Sequence, residues 1–92
     1  MIDPAAFVGW LDEAGVSMFT GVPDSLLKEF GKHVMTSVPP ERHVITANEG
    51  ASVALAIGHF LRTGDPAVVY MQNSGFGNSV NTLLSLADRD VY

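Results

Sequence analysis

Apolar residues recur along this chain in two rhythms, short continuous runs and stripes at helical spacing. Phe7, Val8, Leu11 and Ala14 form the first stripe, behind an Asp3-Pro4 pair suited to an N-cap and first turn, and Gly15 is placed to end the helix. Val16 to Thr20 reads as a short strand, stopped by Gly21-Val22-Pro23. A second helix starts near Asp24 or Ser25 and carries Leu26, Leu27, Phe30 and Val34 on one face, with Glu29 and His33 one turn apart toward water. Ser37 to Glu41, centred on Pro39-Pro40, reads as a connector that cannot be helical. Val44-Ile45 marks a second strand ending at Thr46, and a helix follows at once with Asn48 as its N-cap.

On that helix Val53, Ile57, Phe60 and Leu61 make the expected core stripe, while Gly50, Ala54 and Gly58 fall four apart. A glycine inside a helix costs about 1 kcal/mol relative to alanine. The spacing therefore points either to close backbone approach across an interface or to tight packing on the sheet. Gly64-Asp65-Pro66 turns into a third strand, Ala67 to Met71, followed by a polar glycine-bearing loop from Gln72 to Asn78. Val80, Leu83, Leu84 and Ala87 define the last amphipathic helix. One helix followed by three strand–helix units predicts an α/β fold, an open parallel sheet flanked by helices and joined by right-handed crossovers. No repeat, linker or low-complexity segment divides residues 1–92, which are expected to be one domain or part of one. Asp88-Arg89-Asp90-Val91-Tyr92 look like the approach to another strand, so truncation on the C-terminal side is expected.

Composition narrows the function. At 92 residues, with 47% hydrophobic and 16% charged, the chain is rather apolar for its length, which hints at a large interface or a missing remainder. A net charge of −5 and five scattered basic residues (Lys28, Lys32, Arg42, Arg62, Arg89) argue against nucleic-acid binding. No apolar run is long enough to span a bilayer, and the N-terminus lacks the basic and apolar regions of a signal peptide. The lack of cysteine fits a cytoplasmic protein. With no cysteine, and with His33, His43 and His59 widely separated, a metal site held by this chain has little support. No P-loop or Gly-x-Ser-x-Gly elbow occurs, and Gly75-Phe76-Gly77 has Val80 where a dinucleotide fingerprint needs its third glycine.

Three segments, 21–25, 47–50 and 72–78, each follow the carboxyl end of a strand and precede a helix. A parallel sheet places all three on one edge, where open α/β sheets bind ligands. Glu49 lies at that edge in a first helical turn, a position that the helix dipole alone would favour for an acid. Gln72, Asn73, Ser74 and Asn78 offer donors and acceptors beside it, although Asn78 or Ser79 is expected to cap the last helix. One well-placed acid among neutral polar loops is what remains.

That constellation carries a resemblance. Gly21-Val22-Pro23-Asp24-Ser25, Ala47-Asn48-Glu49-Gly50-Ala51 and Tyr70-Met71-Gln72-Asn73-Ser74-Gly75-Phe76-Gly77-Asn78 resemble the pyrimidine-binding domain of thiamine-diphosphate-dependent decarboxylases. The likeness covers nearly the whole chain in order. It is nearest to the phosphonopyruvate decarboxylases, with the run from Leu83 to Tyr92 in support, and next to the sulfopyruvate decarboxylases; Thr82 departs from the former, where proline is expected.

The resemblance implies that Glu49 hydrogen-bonds N1′ of the aminopyrimidine of thiamine diphosphate, which acts as electron sink when CO₂ leaves a 2-keto acid. Partial desolvation of Glu49 would favour sharing a proton with that nitrogen. Asn73, Ser74, Gly75, Phe76, Gly77 and Asn78 match the family's loop against the pyrimidine ring. Ser25 occupies the place where related pyruvate decarboxylases carry an acid, which makes Ser25, with Asp24, a candidate substrate contact. Mg²⁺ and the diphosphate are held in the family by a second domain with a Gly-Asp-Gly motif, which this sequence lacks. A diphosphate-binding domain or subunit and a homo- or hetero-oligomer are therefore expected partners. The competing expectation is a non-catalytic binding or assembly module on the same scaffold.

Overall fold

The computed structural model describes residues 3–85 and shows a three-stranded parallel sheet with helices on both faces. Strand β1 (Met18–Gly21) is central, between β2 (His43–Ile45) and β3 (Ala67–Tyr70). Phe19 to Gly21 pair with His43 to Ile45, and Met18 to Gly21 with Ala67 to Tyr70. Adjacent strand residues point to opposite faces, and β1 uses both. Phe19 joins Val8, Leu11, Val34 and Val38 from α1 (Pro4–Glu13), α2 (Lys28–Ser37) and the residue beyond it in the main core, while buried Thr20 meets Ser52 of α3 (Glu49–Thr63). Helix α4 (Val80–Leu84) packs on α3. The expected open parallel sheet flanked by helices is thus the observed architecture. No helix among the described residues is long and apolar enough to cross a membrane.

Caps sit where the local chemistry demands them. Asp3 Oδ1 accepts from the Ala5 amide at 3.2 Å, and Asn48 Oδ1 accepts from the Gly50 amide at 2.7 Å. Gly15 (φ +95°) and Gly64 (φ +78°) take the left-handed conformation that lets the chain leave α1 and α3. Asn48→Ala leaves an orphan amide at the start of α3 and is expected to cost about 1 kcal/mol in a denaturation experiment.

Several expectations are corrected. The first strand begins at Met18 rather than Val16 and runs through Gly21; Val16 is buried just before it. A 3₁₀ turn at Ser25–Leu27 precedes α2. The Pro39-Pro40 connector is not devoid of helix: Pro40–Arg42 form a 3₁₀ turn with Pro40 in its first position, where a missing N–H is harmless. Of the expected α3 stripe, Val53 is buried and Ile57 half-buried, whereas Phe60 and Leu61 are exposed at 39% and 64%. A 15-residue helix is about 22 Å long, but a four-residue strand only about 13 Å, so the last turns of α3 outrun the sheet.

The small-residue strip also divides. A Cβ on Gly50 would lie 2.6 Å from the Asn78 carbonyl oxygen, while one on Gly58 would meet open space. Close approach at Gly50 is therefore made within the chain. His59, expected on a flank, bonds Ser17 (2.6 Å between Nε2 and Oγ). Ala87 and the run from Asp88 to Tyr92 lie outside the described residues.

Candidate functional site

Strand order β2-β1-β3 means that the chain leaves β1 to one side and returns on the other, so the carboxyl ends of β1 and β3 bound a topological switch point. Gly21 and Tyr70 face each other there. Hydroxyl groups tie the start of α3 to this edge. The Thr46 amide donates to the Gly21 carbonyl at 3.0 Å, and Thr46 Oγ1 donates to the Asn48 carbonyl at 3.0 Å. Thr46 Oγ1 also pairs with Ser52 Oγ, which accepts from Thr20 Oγ1 at 3.5 Å. Thr20 and Ser52 are fully buried, so the first turn of α3 is anchored on the sheet rather than floating on a loop. This hydroxyl chain was invisible in the sequence, where Thr20, Thr46 and Ser52 read as ordinary strand and helix residues.

Glu49 is the first residue of α3. Its Oε1 accepts from Asn78 Nδ2 at 2.9 Å. Asn78 lies in a 3₁₀ helix, Asn73–Ser79, where a loose loop was expected. Local bonds explain the coil: the Gly75 amide donates to the Gln72 carbonyl at 2.8 Å, and Ser79 Oγ donates to the Phe76 carbonyl at 2.7 Å. Neither Asn78 nor Ser79 caps α4 with its side chain, because each is committed elsewhere. Buried Gly75 forms the wall behind the carboxylate; a Cβ there would sit 2.6 Å from Glu49 Cδ and 2.8 Å from Cγ. Phe76 on the same turn is 52% exposed, an apolar ring beside the carboxylate's loop. Thr82 Oγ1 donates to the Gly50 carbonyl at 3.4 Å, a link between α4 and the Glu49 turn that a proline could not make.

The Asn78 hydrogen bond, followed by a backbone N–H, holds the Glu49 carboxyl below its usual range, with slight desolvation opposing. The desolvation expected from the sequence is thus not supplied by this chain alone. Asn78→Ala removes a donor to the charged form and is expected to raise the Glu49 midpoint in a carboxyl ¹³C NMR titration. Between the two midpoints the variant is protonated where the native residue is ionised.

Glu49, Gly75 and Asn78 are therefore brought together, and Asn73, Ser74, Phe76 and Gly77 share their helical turn. Asp24 and Ser25 follow β1 on the same edge but line cavities on the α2 side, which do not include Glu49. An acceptor carboxylate, a side-chain amide beside it, a glycine wall and an exposed aromatic ring fit a flat nitrogen heterocycle such as an aminopyrimidine. Among the described residues no cluster of three His, Asp or Glu side chains gathers for a metal.

Comparisons with known proteins give the family. The family model of the thiamine pyrophosphate (diphosphate) enzyme, N-terminal TPP binding domain, matches residues 4–91. A phosphonopyruvate decarboxylase from Streptomyces viridochromogenes is 37% identical over 86 residues, which cover 94% of this chain and 21% of the relative. The chain thus spans about a fifth of the length of the curated relative it matches. No solved structure is a significant match. With a family match that runs from the first residue of α1 to beyond α4, the chain belongs to the N-terminal TPP-binding domain family of thiamine pyrophosphate enzymes.

Proposed function

We propose that this chain is the aminopyrimidine-binding part of a cytoplasmic, oligomeric 2-keto-acid decarboxylase that converts 3-phosphonopyruvate to phosphonoacetaldehyde and CO₂. The observation that carries the reading is the Glu49 carboxylate, held by Asn78 against the Gly75 wall at the carboxyl edge of the sheet. Thiamine diphosphate, when bound, supplies the nucleophilic carbon and the electron sink. Glu49 holds the proton shared with N1′ of the ring, and Asn78 orients the carboxylate. Asn73, Ser74, Gly75, Phe76 and Gly77 bound the ring's surface.

Asp24 and Ser25 meet the substrate. At Ser25 a neutral hydroxyl avoids the repulsion that a carboxylate would impose on a doubly charged phosphonate tail. Mg²⁺ and the diphosphate are held by a second domain or subunit. By itself this chain binds the cofactor weakly and turns over nothing. The 37% identity to a phosphonopyruvate decarboxylase supports phosphonate over sulfonate as the substrate tail.

The test is a substrate panel on the complete enzyme with thiamine diphosphate and Mg²⁺. Release of CO₂ from 3-phosphonopyruvate, well above that from sulfopyruvate and pyruvate, is the expected result. Preference for sulfopyruvate would transfer the assignment to sulfonate chemistry. No turnover of any 2-keto acid, with no thiamine diphosphate bound, would establish the non-catalytic module instead.

A further inference from the structure

Asp24 and Ser25 give the anionic tail of the proposed substrate no countercharge. A chain of net charge −5 repels a dianion unless cations are placed locally. The described residues include four Lys and Arg side chains. Arg42 is committed to the amino end of the sheet, where Nε donates to the Ser17 carbonyl at 2.9 Å and Nη2 to the Val16 carbonyl at 3.1 Å. Arg62 lies in the last turn of α3, far along the helix from Glu49. Lys28 and Lys32 remain, one turn apart on α2, so their side chains occupy one face.

Both line a cavity of about 620 Å³ that starts at Asp24 and Ser25 and runs between α2 and β2. Ser25, Lys28 and Lys32 all line it, Lys32 one turn beyond Lys28 along α2. Leu27, Met35, Ile45 and Tyr70 supply apolar lining; Met35 and Ile45 are exposed, as are both lysines, so the groove is open to solvent and to an entering ligand. His43 and Tyr70, both in the lining, pair with each other (2.6 Å between Nε2 and the hydroxyl oxygen), and burial pushes the His43 pKa down, toward the neutral form. Two lysines against one lining carboxylate, Asp24, leave a local surplus of one positive charge.

We infer that Lys28 and Lys32 form the subsite for the tetrahedral oxoanion tail of the 2-keto acid, with Lys28 the first contact beyond Ser25. The inference rests on the proposed assignment of Ser25 to the substrate and adds the residues that read its second charge. Two ammonium groups suit a phosphonate dianion better than a sulfonate monoanion.

The closing experiment measures binding without turnover, so it is decided independently of the decarboxylase reading. Methylphosphonate and, separately, thiamine diphosphate are titrated calorimetrically into the complete enzyme at fixed ionic strength. The proteins compared are wild type, Lys28→Met, Lys32→Met and Lys28→Arg. Saturable methylphosphonate binding, weakened at least about tenfold by each methionine variant and largely kept by Lys28→Arg, is expected. Thiamine diphosphate affinity should be equal in all four. Methylsulfonate in the same titration should bind more weakly than methylphosphonate. Equal methylphosphonate affinity across the variants, no saturable binding by wild type, or parallel loss of thiamine diphosphate affinity would each overturn the subsite. Failure of the decarboxylase reading shows elsewhere, as a wild-type enzyme that binds no thiamine diphosphate and decarboxylates nothing.

Discussion

Glu49→Gln in the complete enzyme is expected to lower kcat by about 10²- to 10⁴-fold, the range associated with a positioned proton-transfer group. Glutamine keeps the shape of the side chain and an oxygen that Asn78 Nδ2 can still reach, but it cannot hold the proton that the role proposed for Glu49 shares with a ring nitrogen. Its effect on the fold should be small. The carboxylate lies at an open rim, the cap of α3 is Asn48 rather than Glu49, and the hydroxyl chain through Thr46 and Ser52 does not include it. The variant should therefore melt with the wild type while losing turnover. A second signature separates chemistry from packing: Gly75→Ala must push the Glu49 carboxyl aside, so it should also depress kcat, although it leaves the carboxylate in place chemically. Full turnover by Glu49→Gln, assayed with saturating cofactor, would remove Glu49 from the reaction.

The strands, the four helices and the edge that gathers the three loops were legible because each rests on short-range chemistry. Asn48 announced the start of α3 through its cap, Gly64 announced its end, and three β-branched or aromatic runs separated by helical stripes implied a parallel sheet. The position of Glu49 followed from that order alone. What stayed hidden depends on partners distant in sequence. Asn78 reads as a helix cap until Glu49, 29 residues earlier, is placed beside it. Phe60 and Leu61 read as core because helical periodicity carries no information about where the sheet beneath runs out. Gly50 and Gly58 look equivalent in the pattern, yet only Gly50 lies under another backbone. Lys28 and Lys32 showed only as scattered charge, since nothing local indicates that the cavity beside β2 opens toward Ser25.

Gly21 is the largest such surprise, and Gly21→Ala is expected to destabilise the chain by about 3 kcal/mol or more. In the sequence it reads as punctuation before Val22-Pro23; in the structure it is the last residue of the central strand, paired with both Ile45 and Tyr70. The Tyr70 ring crosses directly over it to reach His43. A Cβ at position 21 would lie 2.5 Å from Tyr70 Cδ2 and Cε2, and closer still to the Tyr70 carbonyl oxygen. Turning the ring away would relieve only part of the clash, because the carbonyl belongs to the neighbouring strand. It would also break the Tyr70–His43 hydrogen bond and the edge contact with Phe30, whose centroid is 5.6 Å away.

Overpacking of this kind costs about 1–3 kcal/mol or more, and the lost hydrogen bond adds about 1 kcal/mol. For a domain of this size that corresponds to a fall of roughly 10–20 °C in Tm. Tyr70→Phe isolates the hydrogen bond and should cost only about 1 kcal/mol. The Gly21 carbonyl also accepts from the Thr46 amide that leads into Glu49, so displacement of β1 should reach the candidate site as well as the core. A Tm for Gly21→Ala within a degree or two of wild type would mean that the strands and the Tyr70 ring can part without cost, and that the close approach of β1 and β3 at the switch point does not hold this edge of the sheet together.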